Sequence, residues 1–413
     1  MDLVSSALVT SVALDRLLRT KDTAIEPILR EYAYSQLALQ HVCNPSGCYE
    51  WELRGLGEPK FYCNGTAFTE SWGRPQRDGP ALRAITLVGF ATYLLDRGTP
   101  ADVEFVQKHL YESAMPPMSV IKADLEYVAK YWEMSSFDLW EEINGKHFFT
   151  FLASLTALRR GARLAIRLSD DSAASYYTIQ ADRIMKALRT FVDPNTGRIM
   201  AYEKPDKSHR TGLDAAVPLA VLVAGRQGVE EWGPADDSVL ATIKAYVDSF
   251  RDEYAINRGE RHGAVATGRY AEDIYDGLGM SIGNPWYLTT LSVTHVLSRA
   301  IAYYKLTPAE IFVTSTSLPF WSQFDTTVME NEPVPVRSKK WWKLMDELEA
   351  WAEGYWEVIR RYQGEDWQLS EQFNRDTGIP QGAENLTWSY AAFYLASIDR
   401  AIYKAGEVPW PLP

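Results

Sequence analysis

The chain has 413 residues, of which 46% are hydrophobic and 23% charged, and its formal net charge is −12 at pH 7. This acidic balance argues against binding to nucleic acid, whose phosphates favour a basic face. No apolar run reaches the roughly 18 residues of a membrane span, and no basic amphipathic stretch indicates a membrane surface. Because no linker rich in Pro, Gly or Ser divides the sequence, we predict one domain over residues 1–413.

Apolar residues recur at helical spacing along most of the chain, and the alternation typical of strands is scarce. The pattern therefore predicts an all-α fold of about eleven helices in antiparallel succession. The predicted helices span residues 3–19, 24–42, 79–97, 119–134, 147–168, 170–192, 213–226, 236–255, 285–305, 337–364 and 386–405. Two long connections, 44–77 and 256–284, interrupt them, and long connections inside compact domains usually carry function.

The cysteines and the N-terminus bear on redox state and targeting. Cys43 and Cys48 flank a turn short enough to bridge, so a disulfide between them is one possibility, and Cys63 is left over. No His joins the cysteines at metal-ligand spacing, so we predict no zinc site and no other metal. The first residues read as a helix rather than a secretion signal, because Asp2 stands where a signal peptide carries a basic residue.

Three carboxylates crowd next to Trp140 just before the fifth predicted helix: Asp138, Glu141 and Glu142. Asn144 is predicted to be the N-cap of that helix. Like charges this close, beside an indole that excludes water, should raise the pKa of one carboxyl group. A raised pKa keeps a carboxyl protonated as a general acid near neutral pH. The alternative is an acidic loop that only caps a helix.

Several sequence blocks, in order between residues 20 and 405, resemble the fungal glucoamylases, a family of inverting glycoside hydrolases. The blocks span residues 72–83, 137–150, 268–273, 283–287, 370–373 and 386–390. The resemblance, to glycoside hydrolase family 15, implies an (α/α)6 toroid, here expected to lack its first helix and a starch-binding domain. It also implies a secreted, monomeric glucan 1,4-alpha-glucosidase. Such an enzyme would remove terminal α-1,4-linked glucose from the non-reducing ends of starch and maltooligosaccharides.

The implied reaction needs two carboxyl groups, one to protonate the leaving oxygen and one to activate a water, roughly 6.5–9.5 Å apart. By match to the family motifs, Glu141 is the acid and Glu371 the base, and Asp138 assists by its charge. No cofactor is implied, because general acid–base catalysis alone carries the reaction. The family motifs also assign sugar contacts to Trp72, Trp140, Glu142, Arg269, Asp273, Trp286 and Trp388. The alternative interpretation of the aromatic residues expected to line the pocket wall, Trp140, Trp286 and Trp388, is that each only fills the core.

The sequence also departs from the family pattern. Val4 and Ser5 stand where relatives carry an Arg-Asp pair that grips the terminal glucose, and neither replaces a charged group well. Gly382 stands where relatives often carry Ser, which should remove a hydrogen bond from Glu371 and raise its pKa. Residues 278–282 look like an insertion.

These departures leave a second hypothesis open, a catalytically impaired glucan-binding remnant or pseudoenzyme. A third, all-α terpene cyclase, is weaker, because Asp170-Asp171 lacks the further Asp of a magnesium–diphosphate motif.

Overall fold

The structure is a computed structural model, and it describes residues 3–203, 210–224, 231–260 and 263–406. The chain divides after Thr190 into two compact units. Helices dominate both, as predicted, and the strands within the described ranges form three antiparallel pairs in which each strand has two residues. Among the described residues, no helix combines the length and the apolar character that a membrane crossing requires.

The first unit is built on two helices that are buried over most of their surface, α3 and α6. Its helices are α1 (Leu3–Thr20), α2 (Glu26–Gln40), α3 (Asp78–Arg97), α4 (Pro100–Phe105), α5 (Val120–Tyr131), α6 (Phe148–Arg167) and α7 (Asp171–Leu188), and its strands are β1 (Ser136–Phe137) and β2 (Asn144–Gly145). Helix α3 packs against α1, α5 and α6, and α7 covers the other side of α6. Both helices are buried on all sides over their first three turns and become exposed only toward their C-terminal ends, so most of each lies inside the core.

The second unit is centred on α10, whose residues from Tyr287 to Ile301 are all buried. Its helices are α8 (Ala216–Ala224), α9 (Asp237–Asp248), α10 (Tyr287–Leu306), α11 (Leu318–Ser322), α12 (Lys339–Tyr362) and α13 (Thr387–Ala405), and its strands are β3 (Ile311–Phe312), β4 (Pro333–Val334), β5 (Gln372–Phe373) and β6 (Pro380–Gln381). Helices α8, α12 and α13 pack against α10. Helix α12 buries a single apolar stripe and leaves its charged residues outside, as a surface helix does.

All eleven predicted helices are present, and most of their ends differ by no more than about four residues. Helix α9 ends at Asp248 instead of residue 255, and the predicted end of the 213–226 helix lies outside the described residues. The short helices α4 and α11 were not predicted, because five or six residues are too few to show a helical period. The possible Cys43–Cys48 disulfide is confirmed, and Cys63 is exposed and free. Val4 and Ser5 lie in α1, and their side chains fall outside the described residues.

The prediction that Asn144 caps α6 is wrong. Asn144 and Gly145 form β2 and pair with Phe137 and Ser136, and the N-cap of α6 is His147. The backbone of Asn144 pairs with Phe137 in the strand pair, so α6 begins only at Phe148, after β2 has ended. The three carboxylates therefore lie in the turn that joins β1 to β2.

Candidate active site

The turn between β1 and β2 is held together by the carboxylate of Asp138, which is 5% exposed. Its Oδ1 accepts hydrogen bonds from the backbone N–H groups of Glu142 at 2.7 Å and Ile143 at 2.8 Å. The side chain of Gln76 donates to the Asp138 carbonyl at 3.0 Å. Asp138 thus fixes the path of the turn on which Glu141 stands.

Glu141 has a left-handed backbone, with φ of 65°. A non-glycine residue in this region is uncommon and costs about 1–3 kcal/mol, and such strain concentrates at functional sites. The indole Nε1–H of Trp72 donates a hydrogen bond of 2.7 Å to Glu141 Oε1. The backbone and the indole together set the direction of this carboxyl group, which is half-buried.

The indole of Trp72 is held from two further sides. The ammonium group of Lys60 lies 3.2 Å from its ring centroid, and Phe68 meets it edge-on at 5.7 Å between centroids. Cation–π and edge-to-face contacts of this kind each stabilise one ring orientation. Trp72 nevertheless remains 36% exposed, so part of its surface stays open to a ligand.

The loop that carries Trp72 touches the carboxylate turn at Gly73. A Cβ atom on Gly73 would lie 2.7 Å from the carbonyl oxygen of Glu141 and 2.8 Å from Phe137 Cδ1. The Phe137 N–H also donates to the Pro75 carbonyl at 2.9 Å, which ties the loop to β1. Only glycine therefore permits this approach of the two segments.

We expect Gly73→Ala to lower both activity and stability, because the added methyl group pushes the backbone of Glu141 away from Trp72. Overpacking of this kind costs about 1–3 kcal/mol. Gly145→Ala, in the neighbouring strand, is the matched control, because its Cβ would have 3.8 Å of clearance. The melting temperature and kcat/KM of Gly73→Ala, each compared with those of Gly145→Ala, test this expectation. Equal behaviour of both would show that the approach at Gly73 is unimportant.

His147 lies beneath the same turn and was not identified from the sequence. It is 3% exposed, and its Nε2 lies 2.9 Å from the Ser136 carbonyl oxygen. Burial lowers the pKa of His147, although the nearby charge of Asp138 acts in the opposite direction. A neutral imidazole that donates to Ser136 supports β1 from below.

The other two residues predicted in this unit differ in exposure. Trp140 is 8% exposed, and Glu142 is half-buried. The structure thus brings Trp72, Asp138, Trp140, Glu141 and Glu142 together within one loop and one turn of the first unit. Their roles toward a sugar stay predictions.

In the second unit, Glu371 immediately precedes β5. Its backbone N–H donates to the Ala383 carbonyl at 2.9 Å. Burial raises the pKa of Glu371, while the Ala383 backbone, the Arg269 charge and the Tyr275 hydroxyl all work to lower it. Tyr275 was not predicted from the sequence, although it follows the 268–273 block by only two residues.

Gly382 lies directly against this carboxylate, as its place in the sequence suggested. A Cβ on Gly382 would lie 2.7 Å from Glu371 Oε2, and its φ of 76° favours glycine. The raised pKa of Glu371 agrees in direction with the sequence-based expectation, but its largest cause is burial. The Cβ of a serine at this position would first have to push the Glu371 carboxylate aside before the serine hydroxyl could donate a hydrogen bond to that carboxylate.

Arg269 and Asp273 form a buried two-pronged ion pair beside Glu371. Arg269 Nε lies 2.8 Å from Asp273 Oδ2, and Nη2 lies 2.6 Å from Oδ1. Asp273 Oδ1 also accepts the N–H of Tyr275 at 2.9 Å. The guanidinium lies 5.6 Å from the ring centroid of Trp286. Both Asp273 oxygens are thus engaged within the protein, where they orient Arg269 and Tyr275.

The segment that looked like an insertion is a closed loop and does not disturb the residues after it. The Gly283 N–H donates to the Asp273 carbonyl at 2.8 Å and closes the loop at its base. Asp276 accepts hydrogen bonds from the N–H groups of Leu278 and Gly279 within it. Trp286 follows as the N-cap of α10, 5% exposed, with its ring 6.1 Å from that of Tyr275.

Trp388 is placed by the first turn of α13. The backbone N–H of Leu386 donates to the Leu369 carbonyl at 3.1 Å, and Ser389 Oγ donates to the Ser370 carbonyl at 2.8 Å. These bonds fix the start of α13 against the segment that leads into Glu371, and Trp388 is half-buried there. The second unit therefore gathers its predicted residues around Glu371 much as the first gathers its own around Glu141.

The comparisons with known proteins agree on one family. The model of "Glycosyl hydrolases family 15" matches residues 3–397. "Glucoamylase-1" of Schizophyllum commune is 39% identical over 94% of this chain and 64% of its own length. The "Probable glucoamylase" of Schizosaccharomyces pombe is 34% identical over 97% of this chain and 80% of its own length. The solved family 15 glucoamylase from Hypocrea jecorina superposes with a TM-score of 0.89 at 36% identity, over 97% of this chain and 64% of that one.

The predicted all-α, (α/α)6 fold class is thereby confirmed. The chain spans less than two thirds of several relatives it matches.

Proposed function

The chain belongs to glycosyl hydrolases family 15, and on that basis we propose that it is a glucan 1,4-alpha-glucosidase. It would release glucose, with inversion, from the non-reducing ends of α-1,4-linked glucans such as starch and maltooligosaccharides. The observation that carries the proposal is the carboxyl group of Glu141, held by Trp72 on a strained turn. A structural acid has no need of such an arrangement, whereas a general acid must be aimed at the oxygen it protonates.

Glu141 acts as the general acid in this proposal. Because the Trp72 N–H donates to Oε1, the transferable proton belongs on Oε2 and passes from there to the glycosidic oxygen. Asp138 holds the turn and supports the developing positive charge on the sugar. The indole of Trp72 packs over the sugar ring, and Glu142 accepts from a sugar hydroxyl.

Glu371 acts as the general base, which takes a proton from the attacking water on the opposite face of the sugar. The Tyr275 hydroxyl favours the ionised form of this carboxyl group. Arg269 donates to sugar hydroxyls, and Asp273 serves this contact by holding the guanidinium. Trp140, Trp286 and Trp388 form apolar walls, and no cofactor takes part.

The first test is the product formed from maltose and soluble starch by the expressed chain. For soluble starch, which has few reducing ends, proton NMR at early times should show β-glucose, because inversion of an α-linkage gives the β-anomer. Glu141→Gln is the control for contaminating activity. A folded chain that releases no glucose would favour the glucan-binding remnant, and an initial excess of the α-anomer from soluble starch would exclude the inverting pair.

The proposal includes action outside the cell as a monomer. The Cys43–Cys48 disulfide supports the location outside the cell, because disulfides persist mainly in oxidising compartments. Activity found in the medium of the producing cells, with sedimentation at the mass of one chain, is the expected result. Activity confined to cell extracts would overturn this part.

We expect Tyr275→Phe to move the acid limb of the pH–kcat/KM profile to higher pH. The base works only when ionised, and the raised pKa of Glu371 already places this limb above that of an ordinary carboxyl group. Loss of the hydroxyl removes a bond to the ionised form, so the pKa rises further and activity at low pH falls. Tyr303→Phe, elsewhere in the second unit, is the matched control. An acid limb that stays in place in Tyr275→Phe would show that this hydroxyl does not tune the base.

A further inference from the structure

The tight turn between α12 and β5 presents an exposed tryptophan. Trp367 is 69% exposed and has a left-handed φ of 64°, and Asp366 before it has φ of 52°. The turn is closed by hydrogen bonds from the Gly364 N–H to the Gln368 carbonyl at 2.9 Å and from the Gln368 N–H to the Glu365 carbonyl at 3.1 Å. Its backbone conformation is therefore well defined.

Folding does not account for a tryptophan at this position. A bulky residue in the left-handed region is an outlier, and glycine would adopt the same conformation without strain. The indole gains little from burial, since most of its surface faces water. An unfavourable backbone that displays an apolar ring to solvent points to a ligand for that ring.

We propose that Trp367 is a platform for an α-glucan chain outside the catalytic residues, an inference that rests on the proposed function. The C–H face of a glucose ring matches the flat indole, as in other sugar–aromatic contacts. Glu365 and Asp366, the two exposed residues just before Trp367, offer acceptors for sugar hydroxyls. Their negative charge disfavours a polyanion such as nucleic acid, so the occupant is a neutral glycan.

The platform is close to the reaction. Trp367 and Glu371 are four residues apart, a separation that spans at most about 14 Å of chain. The turn lies beside the β5–β6 pair, because a Cβ on Gly364 would be 3.5 Å from Pro380 Cγ. A chain held on Trp367 would thus be retained near the base between successive cleavages, which favours long substrates over maltose.

β-Cyclodextrin separates the platform from the catalytic residues, since a cyclic α-1,4-glucan has no end for an exo-acting enzyme to engage. Titration of the wild type should show binding by fluorescence or calorimetry. Trp367→Gly should weaken it about fivefold to tenfold, which is the size of one aromatic stacking contact. Trp367→Phe should keep most of the binding. Trp51→Ala is the matched control, because Trp51 is 62% exposed in the first unit.

Kinetics and stability supply a second readout. Trp367→Gly should lower kcat/KM for soluble starch about fivefold to tenfold and for maltose by less than about twofold. It should also raise the melting temperature by about 1–3 °C, because the left-handed strain is relieved. A purely structural residue would not lose binding while the protein gains stability.

Each contrary result has a distinct meaning. Unchanged cyclodextrin binding in Trp367→Gly, or an equal loss in Trp51→Ala, overturns the platform. So does concentration-dependent self-association that Trp367→Gly abolishes without affecting cyclodextrin, which would make the turn a contact between copies. A wild type that binds cyclodextrin but leaves maltose intact contradicts the proposed function and supports the platform.

Discussion

Glu141→Gln and Glu371→Gln should each lower kcat for maltose by about 10²–10⁴-fold, while KM changes much less. Each glutamine keeps the shape of the side chain, but it has no acidic proton to give and no negative charge to accept one. The Trp72 hydrogen bond reaches an oxygen that glutamine retains, so the turn should keep its conformation. Stopped assays of glucose release, with unfolding temperature as the check on folding, provide the measurement.

The two carboxyl groups can be told apart with α-glucosyl fluoride. Fluoride leaves with little help from a proton, so Glu141→Gln should recover most of its activity on this substrate, whereas Glu371→Gln should not. Glu384→Gln, an exposed glutamate next to Ala383, is the matched control and should behave as the wild type. If Glu141→Gln is as slow on the fluoride as on maltose, Glu141 is not the acid.

The sequence singled out the candidate carboxyl groups, but it did not reveal the contacts that hold them. Glu141 and Glu371 stand in recognisable blocks, because the chemistry dictates the residue type. Gly73 and Tyr275 act through contacts between segments that no local pattern reveals: Gly73 lets the Trp72 loop approach the carboxylate turn, and Tyr275 reaches Glu371 from about 100 residues earlier in the chain. Such partners depend on tertiary packing, which periodicity does not encode.

The fold shows the same division. Long helices such as α6 and α12 were predictable, because an apolar period sustained over five turns or more has few alternatives. The error at Asn144 arose because an N-cap signal and a two-residue strand pair use the same residue type, and only the partner strand decides between them. A pair that short has no alternation to detect.

Asp124→Ala should destabilise the first unit by about 3–5 kcal/mol, the usual effect of removing one partner from a buried ion pair. Arg83 and Asp124 are 2% and 0% exposed, and Arg83 Nε donates to Asp124 Oδ2 at 2.7 Å. Gln40 Nε2 donates to the same carboxylate at 2.9 Å, and Gln36 accepts from Arg83 at 3.1 Å, so α2, α3 and α5 meet at this pair. The alanine leaves a buried guanidinium with only an amide to offset its charge. Urea unfolding, read from the midpoint with an unchanged slope, measures the loss.

The double variant Arg83→Met with Asp124→Leu distinguishes two causes of the lost stability, namely an unpaired buried charge and the missing hydrogen bonds. If the loss comes from an unpaired charge, the double variant should recover most of it, because an apolar pair of similar volume needs no counter-charge. If it comes from the hydrogen bonds that join the three helices, the double variant should stay as unstable as the single one. Glu357→Ala, which breaks an exposed pair with Arg360, should leave the midpoint unchanged. A single Asp124→Ala variant that unfolds at the wild-type midpoint would contradict both accounts and show that water reaches Arg83.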